Sequence, residues 1–297
     1  MKQLSALTAR NIRLYFKDRG LFFVSLITPV ILLVLFVTFL GRVYKDSFLS
    51  AIPAGLLSDG SVIDGAVGGQ LISSLLAVSC VTVAFCSNAL MVSDKANGVK
   101  NDLTVSPLKP SVLALSYFLA CTASTLIVNY TAAGLCLLYL AKVGFFMSLC
   151  DVMLFLLDIL LLSLFGVALS SLVHSFLKTQ GQVSAVGTVV SAGYGFLCVA
   201  YMPVSSFSAG LQKVLSFLPG TYGTSLLRNH ALAGVFKKME ELSFPKEAVD
   251  GIKESVDCRI FFCGQEVSAA GMYAFLCGAA VLLIAAYIIK SRLYEKR

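Results

Sequence analysis

The chain has 297 residues, of which 58% are hydrophobic and 13% charged, and its net charge is +7 at pH 7. An ordinary soluble domain has about 25% charged residues, so this composition excludes a soluble protein and indicates a polytopic membrane protein. The basic excess suits membrane topology and anionic lipid, and we expect no nucleic-acid partner.

Residues 1–18 predict an amphipathic helix at the inner membrane surface. Four basic residues fall on one sector of such a helix: Lys2, Arg10, Arg13 and Lys17. A basic face beside an apolar face is typical of a helix that lies among lipid headgroups. A cytoplasmic extension of the first membrane span is the alternative.

Six apolar segments are long enough to cross a bilayer, since about 20 helical residues span its hydrocarbon core. They are residues 21–40, 71–92, 113–140, 152–173, 183–202 and 269–289. Because lipid offers no water to backbone groups, each segment must be a helix. We therefore predict an all-α protein in which residues 1–297 form a single transmembrane domain with six helices.

The distribution of Lys and Arg orients these helices. If both termini and residues 93–112 and 174–182 face the cytoplasm, that side holds thirteen basic and four acidic residues. Such an excess on the cytoplasmic side is what membrane helices show in general. We expect a multi-pass protein of the bacterial plasma membrane, with both termini inside.

Residues 93–111 form a polar segment between the second and third predicted spans. Ser93 and Asp94 are typical of a helix start, and Pro107 and Pro110 lie at its end. We therefore predict a short capped helix at the cytoplasmic surface, where it contacts another protein.

The largest predicted outer segment is 203–266. Its first part, residues 203–236, has two amphipathic stretches separated by Pro219 and Gly220, which indicates a re-entrant hairpin in the outer leaflet. Residues 237–266 carry charges of both signs and predict a small, solvated helical cap.

Two cysteines of this outer region, Cys258 and Cys263, are candidates for a local disulfide, and two free thiols are the alternative. We expect no metal site there, because no histidine or second cysteine pair lies nearby in the sequence.

Polar and small residues inside the predicted spans are candidates for function. Gly187, Ser191 and Gly195 recur at four-residue spacing, which allows close helix approach in lipid. They indicate a dimer seam, a translocation path or packing within one bundle. Asp158 lies inside the fourth span, where an acidic side chain indicates a functional role such as ion coupling, or reaches towards the headgroups.

Catalytic and nucleotide-binding signatures are missing from the sequence. It has no P-loop, no H-E-x-x-H and no G-x-S-x-G pattern. We therefore predict that the chain is not an enzyme and binds no cofactor itself.

The polar segment resembles the cytoplasmic motif of permeases of the type-2 exporter family of ATP-binding-cassette transporters. The matching residues are Asp94, Gly98, Leu103, Val105, Ser106, Pro107, Leu108 and Pro110. Val99 replaces the threonine that is usual in the family. The basic amphipathic start, the Leu218-Pro219 step followed by Arg228, and six spans are also similar to that family.

The resemblance implies a coupling helix that contacts a separate ATP-binding subunit, which would carry ATP and Mg. The contact residues it implies are Asp94, Gly98, Leu103, Ser106 and Pro107, with Arg10 and Arg13 in support. It also implies a second permease copy or paralogue, membrane lipids as partners, and export of a drug, antibiotic peptide or lipid-like molecule. Polysaccharide or glycolipid export and ion-coupled secondary transport are the alternatives.

Overall fold

The computed structural model describes residues 2–35, 38, 41–42, 45, 60–105, 108–262 and 264–295. It is 84% helical, which confirms the all-α prediction. The helices are α1 (Lys2–Lys17), α2 (Arg19–Leu35), α3 (Gly60–Ala96), α4 (Val99–Val105), α5 (Pro110–Val143), α6 (Leu149–Phe176), α7 (Gln180–Leu197), α8 (Ala209–Leu215), α9 (Pro219–Glu241), α10 (Lys246–Ser255) and α11 (Ala269–Glu295). A 3-10 turn at Val204–Ser206 and an antiparallel hairpin of β1 (Phe261–Phe262) and β2 (Gln265–Glu266) lie in the outer region.

Four helices in the described part of the chain are long and apolar enough to cross a membrane: α3, α5, α6 and α11. They coincide with the second, third, fourth and sixth predicted spans. The first predicted span, 21–40, overlaps α2 and continues into residues that lie mostly outside the described part. The count of six spans therefore stays a prediction.

The bundle is built around α3. In its most apolar stretch 89% of the residues are buried inside the protein, because α2, α5, α6, α7 and α9 all pack against it. Buried polar side chains join the helices: Asn129 of α5 accepts a hydrogen bond from Ser79 of α3 and donates one to Ser163 of α6. Hydrogen bonds of this kind support helix association where lipid removes the hydrophobic driving force.

Helix α7 differs from the predicted span 183–202 at both ends. It begins after a capping box between Thr179 and Gln182. It ends because Val199 takes a positive φ of 60°, which lets the Ala200 amide bond back into the last turn at 2.9 Å. The helix is therefore shorter and more polar than a typical span.

The outer region differs from the predicted hairpin of two short halves in 203–236. Pro219 occupies the first turn of α9, where its missing N–H is not needed, so the Pro-Gly step begins a 23-residue helix. Helix α9 packs against α3, α6 and α11. The segment 237–266 contains the end of α9, then α10 and the short β hairpin. The sequence pattern predicted helical structure here but not the hairpin. The depth of this region in the membrane stays a prediction.

The polar segment contains a short helix, but the predicted helix start at Ser93 and Asp94 was wrong. Both residues lie in the last turn of α3. The chain then turns at Asn97 and Gly98, and α4 begins only at Val99.

Candidate functional site

Asp94 joins three helices at one end of the bundle. It is 5% exposed, and its Oδ2 atom accepts hydrogen bonds from Arg10 Nη1 of α1 (2.8 Å) and from the Tyr117 hydroxyl of α5 (2.6 Å). The bond to Asp94 raises the pKa of the Arg10 guanidinium, which therefore keeps its charge. Asp94 does not cap α4, because its carboxylate is already engaged inside the protein.

Lys95, the next residue, binds the end of α6. Its Nζ donates to the carbonyl oxygens of His174, Ser175 and Leu177 at 3.2–3.3 Å. The last carbonyl groups of a helix have no partner in the helix, and a cation there also interacts favourably with its dipole. Residues 94 and 95 thus connect one point of the chain to α1, α5 and α6.

Helix α4 projects from this point. Gly98 has a φ of +78°, a conformation that favours glycine, and so permits the sharp turn between α3 and α4. Leu103 packs on an apolar cluster formed by α1, α3 and α5, whereas Val105 is 89% exposed. Ser106 and Pro107 lie outside the described residues.

The predicted basic sector of α1 is divided in the structure. Arg10 turns inward to Asp94, whereas Lys2, Arg13 and Lys17 are exposed. The inner face of α1 packs against α5 through Leu7 and other buried residues. The exposed residues leave a basic surface on α1.

Arg228 of α9 lies at the opposite end of the bundle and is 1% exposed. Its Nη1 donates to Asp257 Oδ2 (3.0 Å) and to the Val256 carbonyl (3.1 Å), and its Nη2 donates to the Val199 carbonyl (2.6 Å) and Ser74 Oγ (3.2 Å). Val199 and Asp257 both have positive φ angles, so Arg228 holds two turns in conformations that are rare for such residues. Burial raises the pKa of Asp257 to about 6, even though Arg228 opposes this effect.

Asp158 of α6 is also paired. Its Oδ2 atom lies 2.5 Å from Nδ1 of His230 on α9, and its Oδ1 accepts a hydrogen bond from the Tyr273 hydroxyl on α11 at 2.6 Å. Asp158 is 1% exposed. The sequence singled out Asp158 but not its partners, because they are 72 and 115 residues away along the chain.

The comparison with protein families gives one match: the model of the ABC-2 type transporter matches residues 2–231, which is well over half of the chain. This chain belongs to the ABC-2 type transporter family. No curated protein sequence matches it. As a member of that family it is a membrane-spanning transport permease, not a catalytic domain, and the family implies an ATP-binding subunit as partner. The match includes the polar segment 93–111, Asp158 and Arg228, and ends before Asp257 and Tyr273.

The three small residues at four-residue spacing in the permease lie on α7, and their surroundings differ. Gly195 is buried under the ring of Tyr201, which leaves no room for a larger side chain. Ser191 is half-buried, and a Cβ added to Gly187 would meet no described atom within 4 Å. Gly195 therefore serves packing within one chain, whereas Gly187 has no such neighbour in the part of the chain that the structure describes.

Cys258 of the permease is buried, and burial raises the pKa of its thiol to about 12. Cys263 lies outside the described residues, so the disulfide stays a prediction. Within the described ranges no three side chains of the metal-binding types are grouped together.

Proposed function

We propose that this permease is the membrane subunit of an exporter that moves an amphipathic substrate outward, driven by ATP hydrolysis on a separate subunit. The cargo would be a drug, an antibiotic peptide or a lipid-like molecule. One observation carries the proposal: Asp102 and Val105 of α4 are exposed, yet the residues just before that helix, Asp94 and Lys95, bind three other helices. A helix that has exposed side chains and is anchored in this way is suited to receive force from outside.

The anchoring supports a mechanism in which α4 and its neighbours move together. A displacement of α4 passes through the turn at Gly98 to α3, and through Asp94 and Lys95 to α1, α5 and α6. Packed helices shift as rigid bodies and do not deform continuously. ATP and Mg would stay on the partner, which contacts Val105 and the adjacent turn, while Asp94 acts from inside.

We further propose that two permease copies, or the permease and a paralogue, assemble with two ATP-binding subunits. The open side of α7 around Gly187 supports a helix–helix contact between copies. The exposed Lys2, Arg13 and Lys17 on α1 support contact with anionic headgroups, with both termini in the cytoplasm of a bacterial cell.

Co-purification tests the contact with the ATP-binding subunit. The tagged permease is expressed in the cells it comes from and purified in detergent, as wild type and as Val105→Asp, and any ATP-binding subunit that co-purifies is quantified. We expect the amount of ATPase that co-purifies with the variant to fall at least about tenfold. A charge at the centre of an apolar contact acts like the loss of a hot-spot residue.

Leu149→Asp is the matched control. Leu149 is 81% exposed at the other end of α6, so the same change there should leave ATPase recovery unchanged. Equal recovery with wild type and Val105→Asp would contradict the role of α4. If no ATPase co-purifies with the wild type, ion-coupled transport becomes the better explanation.

A further inference from the structure

The side chains of three residues on three helices meet inside the bundle, away from the polar segment 93–111. The helices are α6, α9 and α11, and the side chains are Asp158, His230 and Tyr273. Each carboxylate oxygen of Asp158 has one partner, at 2.5 Å and 2.6 Å. The side chain of Asp158 is 1% exposed and that of His230 is 15% exposed. The histidine is therefore the more exposed partner of the ion pair.

The charge on Asp158 has one source of compensation in the part of the chain that the structure describes. His230 is the basic side chain that lies within ion-pair distance of it. The other titratable groups nearby are two thiols, Cys80 on α3 and Cys277 on α11, and Tyr130 on α5, which donates to a carbonyl of α6. An ionised carboxylate in apolar surroundings is costly unless it is paired. A carboxylate beside a neutral imidazole leaves the pair with one negative charge. The pair becomes electrically neutral only when it binds one additional proton.

We propose that Asp158 and His230 form a proton-binding site, which Tyr273 completes, and that the bound proton holds α9 and α11 against α6. In the loaded site the imidazolium donates from Nδ1 to the carboxylate. On release, the proton on the other ring nitrogen, Nε2, passes to water, and Nδ1–H continues to donate to Asp158. The site then carries one negative charge, which favours water entry and separation of the helices.

The side of the membrane from which the proton enters follows from the position of Asp158 along α6. Asp158 lies nine residues after Leu149, which corresponds to roughly 13 Å from that end of the helix at 1.5 Å per residue. In the proposed orientation this end faces outward, so protons are exchanged with the outer side. This proton site does not depend on the ATP-binding subunit, and it would exist in the isolated permease.

The test measures how pH changes the melting temperature of the purified full chain. Far-UV circular dichroism in detergent micelles is recorded from about pH 7 to about pH 8.5, above the range in which an exposed histidine titrates. The proposal requires the folded chain to keep one proton at these two groups, whereas the unfolded chain has lost most of it at pH 7 and nearly all of it at pH 8.5. We expect the wild-type melting temperature to fall by about 3 °C more per pH unit than that of a variant in which the site is removed, the effect of one proton released on unfolding.

Variants assign this slope to the site. We expect Asp158→Asn and His230→Gln to lose it, and Tyr273→Phe to melt at a lower temperature with the slope retained. His174→Gln is the matched control, since His174 is the other histidine and bonds to a carbonyl of its own helix. The proposal is overturned if Asp158→Asn or His230→Gln keeps the wild-type slope, or if His174→Gln loses it.

A second measurement needs neither a changed Asp158 nor a changed His230. The chain has two histidines, so nitrogen-15 NMR of the His174→Gln protein reports on His230 alone. We expect an imidazole with both ring nitrogens protonated at neutral pH. A neutral ring there would overturn the proposal even if the other variants fail to fold.

Discussion

At the scale of single residues, Arg228 has the most demanding surroundings. A buried guanidinium is tolerated when acceptors compensate its charge, and here the acceptors for Nη1 and Nη2 come from α3, the end of α7 and the turn after α10. The resemblance to the exporter family pointed to Arg228, but no pattern in the sequence indicates its acceptors. They are up to 154 residues away along the chain and meet it only in the fold.

Its partner Asp257 gives a prediction for pH dependence. The pKa of Asp257 is about 6 in the folded protein and about 3.9 in an unfolded chain, so the folded state binds the proton more tightly. The free energy of unfolding therefore increases as the pH falls from about 6 to about 4, by about 3 kcal/mol at most, and this gain is lost as the pH rises through 6. Melting curves between about pH 4 and about pH 7 measure it, and Asp257→Asn should remove it.

Asp250→Asn is the control for this prediction. Asp250 pairs with Arg259 at 2.8 Å, but its side chain is 48% exposed, so the pair contributes little. The pH dependence should therefore be the same as in the wild type. If Asp250→Asn and Asp257→Asn flatten the curve equally, burial of Asp257 is not its cause.

At the scale of elements, the sequence located most helices well but not all of their ends. The long apolar runs predicted α3, α5, α6 and α11, because lipid leaves such runs no alternative to a helix. The start of α4 was missed because Asp94 has the chemistry of a cap, while its actual partners, Arg10 and Tyr117, come from other helices. The end of α7 was missed because a valine at positive φ is rare and has no sequence signal.

The capping of the C-terminal end of α6 by Lys95 gives a prediction for this element. Lys95→Met keeps the length of the side chain but removes the donor to three carbonyl groups. We expect faster amide hydrogen exchange in the last turn of α6 and a loss of stability of about 1 kcal/mol, which is typical of a cation at a helix end. Exchange measured by mass spectrometry on peptides that cover residues 170–178 checks it.

Lys142→Met provides the comparison, since Lys142 lies in the last turn of α5 and is exposed. We expect its effect on the end of α6 to be negligible. Unchanged exchange in Lys95→Met would mean that the ammonium group does not hold the end of α6.

At the scale of the whole molecule, the sequence predicted the class and the order of helices but not which helix is central. In a membrane an apolar surface faces lipid or protein equally well, so the position of α3 inside the bundle has no hydrophobic signature. Helix α11 is as apolar as α3 by composition, yet only 22% of its most apolar stretch is buried. Small residues and buried hydroxyl or amide groups are the better indicators, as Ser79 and Asn129 show.

Close backbone approach determines how the bundle closes around the α5–α6 connection. A Cβ atom added to Gly234 of α9 would collide with the backbone carbonyl of Phe146 in that connection. On the other side, Gly65 of α3 lies against Gly144 and the Phe146 ring. The connection is thus held between α3 and α9, and neither helix can carry a side chain at these points without moving.

Gly234→Ala should therefore destabilise the whole bundle, by about 1–3 kcal/mol or more, because a backbone carbonyl cannot move aside as a flexible side chain can. Thermal melting in detergent measures the change. Gly278→Ala on α11 is the matched control, since no described atom lies within 4 Å of the added methyl group and alanine favours the helix by up to about 1 kcal/mol. Equal melting temperatures for both variants would show that α9 can shift away from the connection at little cost, and the bundle would then be looser at this end than the packing of α3, α9 and Phe146 indicates.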